Sequence, residues 1–447
     1  MLKRKMFQKL DIWKNSKKNK CLLVMGARQI GKTYIIREFC KENYDSFIEL
    51  NFIEREELKK IFDDDLSPEA ILRGIRLYMP GQQIIPGKTA VFLDEIQECD
   101  KAVSALKFLA QDKTIDVYVS GSLLGIQYKN KSSFPVGYVD FEDMFSLDFE
   151  EFLWALGVDE DIYKSLEKYF QERGKIPTAI HDKMNVYLSK YLVLGGMPEV
   201  VSTFISTNDY AAADAVQRSL YKSYLLDIAR YADASIKIKA ENCYKSIPLQ
   251  LSKENHKFQY KLVEKNGNAK KFGSSLDWLV SSQMVIPVMN VSAVEYPLKN
   301  FAKTDNLRIY PNDIGLLICT YGYELKQMLL KNDVEDAETN IILRTAKGGI
   351  YEALAAEMLK KAGIEQLYFY RSESGTVEIE FLIEGIDGVI PIEIKAGKNR
   401  TKSLNTILES EEISYGYKFS SQNIGQSGKK ITMPLYMLPF ICRSRDA

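Results

Sequence analysis

The chain has 447 residues, too many for one hydrophobic core, and by size divides into two to four domains. Its 60 basic and 60 acidic residues cancel, so net charge argues for neither nucleic acid, membrane nor an acidic ligand, and any such case has to be local. Six scattered cysteines without a Cys-x-x-Cys pair, and only two histidines, His181 and His256, exclude a zinc or disulfide framework. The same scarcity leaves little material for Ser-His-Asp or Cys-His catalysis and fits a reducing cytoplasm. No apolar run approaches the roughly 20 residues that span a bilayer, so no membrane partner is expected.

The first twenty residues, MLKRKMFQKLDIWKNSKKNK, lack an apolar core and a small-residue cleavage site, so they read as a basic helical arm, not a secretory signal. Such an arm contacts phosphates or a partner, or is a solvated helix, and base rates for charge runs favour the solvated helix. From Cys21 to about Phe149 the runs CLLVMG, FIELNF, TAVFLDE, DVYVSGS and MFSLDF alternate with helical patterns. That alternation predicts an α/β fold with a parallel sheet under crossover helices. From about Glu150 to Tyr231 apolar residues recur every three or four positions, which predicts a helical appendage. Between about Ala240 and Asn300 short helices precede MVIPVMN and a stretch ending in YPLKN, read as a hairpin. The last hundred residues read as one helix, GGIYEALAAEMLKKAG, followed by strands QLYFYRS, TVEIEFLIE and VIPIEIKAG.

Within the first region GARQIGKT fits G-x-x-x-x-G-K-[ST], with a strand before it and a helix after it. In that context Gly26, Ala27, Arg28, Gln29, Ile30 and Gly31 would present backbone N–H groups to phosphate oxygens. Lys32 would neutralise the β- and γ-phosphates, and the Thr33 hydroxyl would ligate Mg²⁺. TAVFLDEIQ then ends an apolar strand in Asp94, a second Mg²⁺ contact, and Glu95, a base that activates water. Ser120 and Ser122 close the strand DVYVSGS, where a hydroxyl would touch the γ-phosphate or the attacking water; serines there are also ordinary turn residues. The ligands expected are ATP and Mg²⁺, with Lys32 and Glu95 as the catalytic pair.

These motifs, with FSLDFEEFL, LGGMPEVV, YLLDIARYA, EIEFLIE and IPIEIKAG, make the chain resemble bacterial and archaeal AAA-type ATPases that are similar to STAND NTPases and carry a C-terminal domain of uncharacterised function. The resemblance implies an ATPase core over residues 1–150, a helical lid over 151–238, a winged-helix-like module over 239–345 and a PD-(D/E)XK nuclease-like α/β domain over 346–447. Many relatives have a Gly-Arg pair after the serine-bearing strand; this chain has Gly137-Tyr138, leaving Arg218 and Arg230 as candidates for the missing cation. LGGMPEVV itself reads as a helix stop and a proline-initiated restart, without a catalytic role.

Between Lys239 and Lys271 eight lysines face three glutamates. This local excess makes residues 239–275 a candidate duplex-DNA contact, with Lys270, Lys271, Ser274 and Ser275 on the outer side of the second helix; a solvated face or a protein partner are the alternatives. Near the C-terminus, strand alternation puts Glu378, Glu380, Leu382 and Glu384 on one face, and Pro391, Glu393 and Lys395 together on the next strand. Glu380 and Glu393 are thus candidate ligands of a second metal ion, with Lys395 activating water and Glu352 completing the set. The alternative is a cross-strand ion pair on a polar sheet face. The resemblance also implies aspartate where this chain has Glu380, and the extra methylene counts against cleavage. The reading that combines these features is an Mg²⁺-dependent ATPase working as a nucleotide switch on its C-terminal modules. A DNA-binding regulator without turnover and an ATP-controlled nuclease are the alternatives.

Overall fold

Two of the apolar runs of the first region, CLLVM and TAVFLD, become strands that have no face to water. The computed structural model describes residues 2–16, 19–121, 135–232, 235–331, 341–386, 388–395 and 402–443. The chain divides into two compact units, one of residues 3–146 with 281–283, the other of 147–280 with 284–447.

In the first unit the elements run α1 (Met6–Asn15), β1 (Cys21–Met25), α2 (Lys32–Asn43), β2 (Ser46–Asn51), α3 (Pro68–Tyr78), β3 (Thr89–Asp94), α4 (Asp100–Leu109), β4 (Ile115–Gly121) and β5 (Val139–Asp143). The five strands form one parallel sheet in the order β2-β3-β4-β1-β5. Every residue of β1 and β3 is buried, as expected of strands covered by helices on both faces. Register carries the functional consequence. Asn51 pairs with Asp94, Leu93 pairs with Val119 and Val24 pairs with Ser120, so the polar ends of β2, β3 and β4 lie level at one sheet edge, beside the end of β1.

Two expectations change here. The fifth strand is Val139–Asp143, not MFSLDF. Asp148 instead caps the next helix, accepting from the Glu151 N–H at 2.8 Å while Glu151 accepts from the Asp148 N–H at 3.2 Å, and this reciprocal box ends extended structure. The N-terminal arm is not a solvated helix. Met6 and Leu10 are buried, Phe7 meets Phe39 and Trp13 meets Tyr118 edge to face, with centroids 5.8 and 5.1 Å apart. Lys9 and Lys20 pair with Glu142 and Asp140 of β5.

The second unit contains α5 (Phe149–Ala155), α6 (Glu160–Glu172), α7 (Thr178–Leu194), α8 (Pro198–Thr207), α9 (Tyr210–Tyr231), α10 (Lys237–Leu251), α11 (Tyr260–Val263) and α12 (Ala269–Ser281), followed by β6 (Val285–Val291) and β7 (Ala302–Pro311). Then come α13 (Ile314–Ile318), α14 (Tyr323–Lys331), α15 (Ile341–Lys361), β8 (Leu367–Arg371), β9 (Glu378–Gly385), β10 (Gly388–Ile394), α16 (Lys402–Leu408), β11 (Gly416–Ser420), β12 (Gly425–Ser427), β13 (Lys430–Pro434) and α17 (Phe440–Arg443). The hairpin forms, but its second strand is Ala302–Pro311; the YPLKN stretch leads into a short 3₁₀ turn. Its first strand also pairs in parallel with β8, so residues 285–311 and the C-terminal strands share one eight-stranded sheet, ordered β12-β13-β11-β10-β9-β8-β6-β7.

Candidate functional site

Gly26 can only be glycine, because a Cβ there would lie 2.3 Å from the Met144 carbonyl oxygen. Gly31, at φ +93°, is the left-handed cap from which α2 starts, a conformation that costs a side-chain-bearing residue free energy. Between them Gln29 also adopts positive φ. The chain thereby coils tightly into the N-terminus of a twelve-residue helix, whose first N–H groups have no partner within the helix.

Lys32 is buried and turns back onto its own loop, donating to the Gly26 and Ala27 carbonyls at 2.8 and 2.7 Å. Burial pushes its pKa down to about 8, with Glu95 pulling it up, Arg28 pushing it down and Asp94 pulling it up. Next to it the Thr33 hydroxyl donates to Asp94, 3.0 Å from Oδ1. Asp94 also accepts from the Asn51 amide at 2.9 Å and from the Ser120 hydroxyl. Its pKa is raised by burial, opposed by the Ser120 and Thr33 hydrogen bonds and reinforced by the Glu95 and Glu49 charges.

Glu95 follows with a left-handed backbone, φ 56° and ψ 49°, and its N–H donates to Ser120 Oγ at 3.1 Å. Its carboxylate accepts from the buried Gln97 amide. Lys32, Thr33, Asp94, Glu95 and Ser120 are therefore drawn together as the motifs predict, while Ser122 lies outside the described residues. Sequence reasoning missed Asn51 and Gln97. Asn51 had a legible signal, a polar residue ending an apolar strand, and Gln97 lies inside the quoted LDEIQ.

In the second unit Glu380 stands one step beyond the Ile392–Phe381 pair and so faces Glu393. The Lys395 amine bridges them, 2.9 Å from Glu380 and 3.3 Å from Glu393. Burial raises the Glu380 carboxyl to about 7, against the pull of Lys395. Glu393 is raised by burial too. At Lys395 burial works downward, but the two carboxylates outweigh it and raise its pKa. Glu352 is held elsewhere, by His256 Nδ1 at 2.8 Å, Arg308 at 3.1 Å and the Tyr310 hydroxyl at 2.9 Å. Although burial opposes it, the charges of His256 and Arg308 hold Glu352 down at about 2. Among the described residues no three carboxylate, histidine or cysteine side chains are arranged to hold a metal ion.

On the lysine-rich segment Lys270, Lys271 and Ser274 are exposed, but Ser275 is buried and 3.4 Å from the Ile236 carbonyl, contrary to its expected outward position. The helix turns Phe272, Leu276 and Leu279 inward, and Ser275 shares that stripe by spacing. Lys245 and Lys271 are paired with Glu241 and Glu264. Arg218 is paired with Asp214 at 2.7 Å. No helix among the described residues is long and apolar enough to cross a membrane.

Residues 18–153 match the family model of an AAA domain. Residues 185–327 and 347–437 match two domains of unknown function, DUF8612 and DUF4143. No curated protein matches the chain in sequence. Among solved structures, the Walker-type ATPase PABY2304 of Pyrococcus abyssi is 12% identical with a TM-score of 0.43, over 72% of this chain and 95% of that one. A STAND protein with a tetratricopeptide repeat sensor, PH0952 from Pyrococcus horikoshii, is 12% identical with a TM-score of 0.27, over 81% and 45%. Cdc6p from Pyrobaculum aerophilum is 12% identical with a TM-score of 0.26, over 74% and 94%. All three similarities are remote.

Proposed function

We propose that the protein, whose residues 18–153 match the family model of an AAA domain, binds Mg²⁺-ATP at residues 26–33, hydrolyses it, and uses the change as a switch on residues 147–447. The observation that carries this is the Thr33–Asp94 contact at 3.0 Å, beside the buried Lys32 amine and the carboxylate of Glu95.

The residues fit the ligand. A loop that excludes a Cβ at Gly26 and turns left-handed at Gly31 brings backbone close enough for N–H groups to hold phosphate oxygens. Lys32 exchanges its two carbonyl partners for phosphate, which answers the burial that depresses its pKa. Thr33 and Asp94 supply hard oxygens for Mg²⁺, and Asn51 and Ser120 hold the Asp94 carboxylate in place. The bound nucleotide supplies the phosphoanhydride bond that water cleaves. Glu95 orients that water and takes its proton on the carboxylate, while Gln97 fixes the carboxylate from the side.

The test is steady-state phosphate release at low salt, with and without duplex DNA, against Glu95→Gln as the blank. Turnover above the blank supports hydrolysis, and turnover equal to it refutes hydrolysis. The switch is tested by amide exchange across residues 147–447, which should change with nucleotide in wild type and not in Lys32→Ala.

A second reading, contact with duplex DNA, is favoured by the exposure of Lys253, Lys261, Lys265 and Lys270 along one segment. It requires binding that weakens with salt at a slope near 0.9 per phosphate neutralised; no binding at low salt refutes it. A third, Mg²⁺-dependent DNA cleavage at Glu380, Glu393 and Lys395, is favoured by their convergence. The lysine bridge opposes it, and cutting that survives Lys395→Ala would exclude it.

A further inference from the structure

Arg4 belongs to the basic arm that the sequence leaves without a task. It is buried, its Nη1 donates to the Ile30 carbonyl at 3.1 Å and its Nη2 donates to the Phe145 carbonyl at 2.6 Å. Ile30 is the last residue before Gly31 in the phosphate loop. Phe145 follows Met144, whose N–H donates to the Met25 carbonyl at 2.8 Å and whose own carbonyl lies against Gly26. The guanidinium therefore ties the far end of the loop to the segment that backs its near end.

The chemistry of that tie is specific. In a trans peptide the C=O and the following N–H point in opposite directions, so anchoring the Ile30 oxygen sets the direction of the Gly31 N–H. A planar guanidinium with donors in a fixed fork sets the relative direction of the two carbonyls it holds, whereas an ammonium such as that of Lys32 can reach two carbonyls without fixing their direction. Gly31, lacking a Cβ and sitting at φ +93°, has wide freedom of its own, so its orientation must be imposed by neighbours.

We propose that Arg4 is a positioning residue of the nucleotide site: by clamping the Ile30 carbonyl to Phe145 it aims the Gly31 N–H into the phosphate cradle and sets the affinity for nucleoside triphosphates. This rests on the nucleotide-binding reading above. The arm thus acts on the site from behind, without touching nucleotide.

The experiment uses the full chain and a fluorescent ATP analogue with Mg²⁺. Arg4→Ala should raise the dissociation constant about tenfold or more, the usual weight of hydrogen bonds from a charged group. Arg4→Lys should recover part of that, and either variant should raise KM far more than it lowers kcat. Trp13→Phe loses the Trp13–Asp140 hydrogen bond of the same arm without touching the loop, and should bind within twofold of wild type. In nucleotide-free protein, amides 26–34 should exchange faster in Arg4→Ala than in Trp13→Phe. Wild-type affinity in both Arg4 variants overturns the proposal, as does equal weakening in Trp13→Phe, which would make the effect one of arm docking. If Arg4→Ala does not fold, Arg4→Lys and Arg4→Gln are read against Trp13→Phe in the same way. Absence of saturable binding by wild type is a separate outcome, which removes the nucleotide-binding reading and this proposal together.

Discussion

Raising pH should weaken ATP binding through Lys32 alone, and the size of the effect follows from its surroundings. Burial lowers the pKa of the free protein's Lys32 to about 8, and a bound polyphosphate favours the ammonium form, raising it again. Above pH 8 the free protein must therefore take up a proton to bind, and affinity falls by up to tenfold per pH unit. At pH 9 the dissociation constant should be about elevenfold its value well below pH 8. Stability moves the other way: between about 8 and the ordinary lysine value of 10.5 the unfolded chain holds the proton that the folded chain has lost, so the nucleotide-free protein gains stability as pH rises through that window. The assay is a binding titration with a fluorescent ATP analogue from pH 7.5 upwards, above the second phosphate pKa of about 6. Lys32→Arg, charged throughout, should bind weakly but with a flat profile. A flat wild-type profile, or a slope that persists in Lys32→Arg, refutes the assignment.

Three further outcomes are expected. Asn51→Leu removes the amide that holds Asp94 at 2.9 Å, and should raise the Mg²⁺ concentration for half-maximal turnover about tenfold. Its affinity for Mg²⁺-free ATP should be unchanged; a parallel loss would show a folding defect. Gly196→Ala places a Cβ 2.0 Å from the Leu147 carbonyl oxygen and should cost about 3 kcal/mol or more in urea unfolding, whereas an unchanged midpoint would show that the backbone yields there. At Glu380, raised to about 7, the folded state keeps a proton that the unfolded state releases near the ordinary carboxylate value. Stability should fall between roughly pH 4.5 and 7, and Glu380→Gln should flatten that decline in urea titrations at the two ends; an unaltered decline assigns it to other groups.

The parts of the first unit that depend on short stretches of chain were legible. β1 to β4 announce themselves as continuous apolar runs, and the loop from Gly26 to Thr33 is a local pattern whose context identifies it. The approach of Glu380, Glu393 and Lys395 was legible too, because strand alternation fixes faces without knowledge of the fold. The cross-strand ion pair named as the alternative is what forms, with Lys395 reaching both carboxylates; alternation alone could not choose between it and a metal site, since that depends on cross-strand geometry. Arg4 was illegible for the same kind of reason: its partners lie 26 and 141 residues away, and a basic arm with a buried arginine looks like any solvated one. The fifth strand was misplaced because MFSLDF is apolar enough for a strand, while the Asp148–Glu151 box that claims its end is readable only when S/T/D-x-x-E is given priority over hydrophobicity.

The Gly195-Gly196 pair shows how far a correct local reading can fall short of a reason. As the sequence suggests, it ends α7, with Gly195 at φ +70°. Yet a stop needs one such glycine, and the second is fixed by packing. Gly196 donates its N–H to Asp313 at 2.9 Å and accepts from the Leu147 N–H at 2.7 Å. The Leu147 carbonyl in turn accepts from Lys361 at 2.9 Å and lies 2.8 Å from the Tyr191 hydroxyl, for whose single proton it and Glu357 are alternative acceptors. Glu357, fully buried, accepts from Tyr191 at 2.7 Å, Lys361 at 2.5 Å and the Ile314 N–H at 2.6 Å. Burial raises the Glu357 carboxyl to about 7 against the pull of Lys361. Such a network is a poor source of stability, because an apolar replacement would often serve as well. Its effect is on geometry: each group has a partner only when Leu147, α7, α13 and α15 meet in one arrangement. A single methyl on Gly196 displaces the Leu147 carbonyl and removes an acceptor shared by Tyr191 and Lys361, leaving them Glu357 alone, which is why a substitution of one carbon there should act on four segments at once.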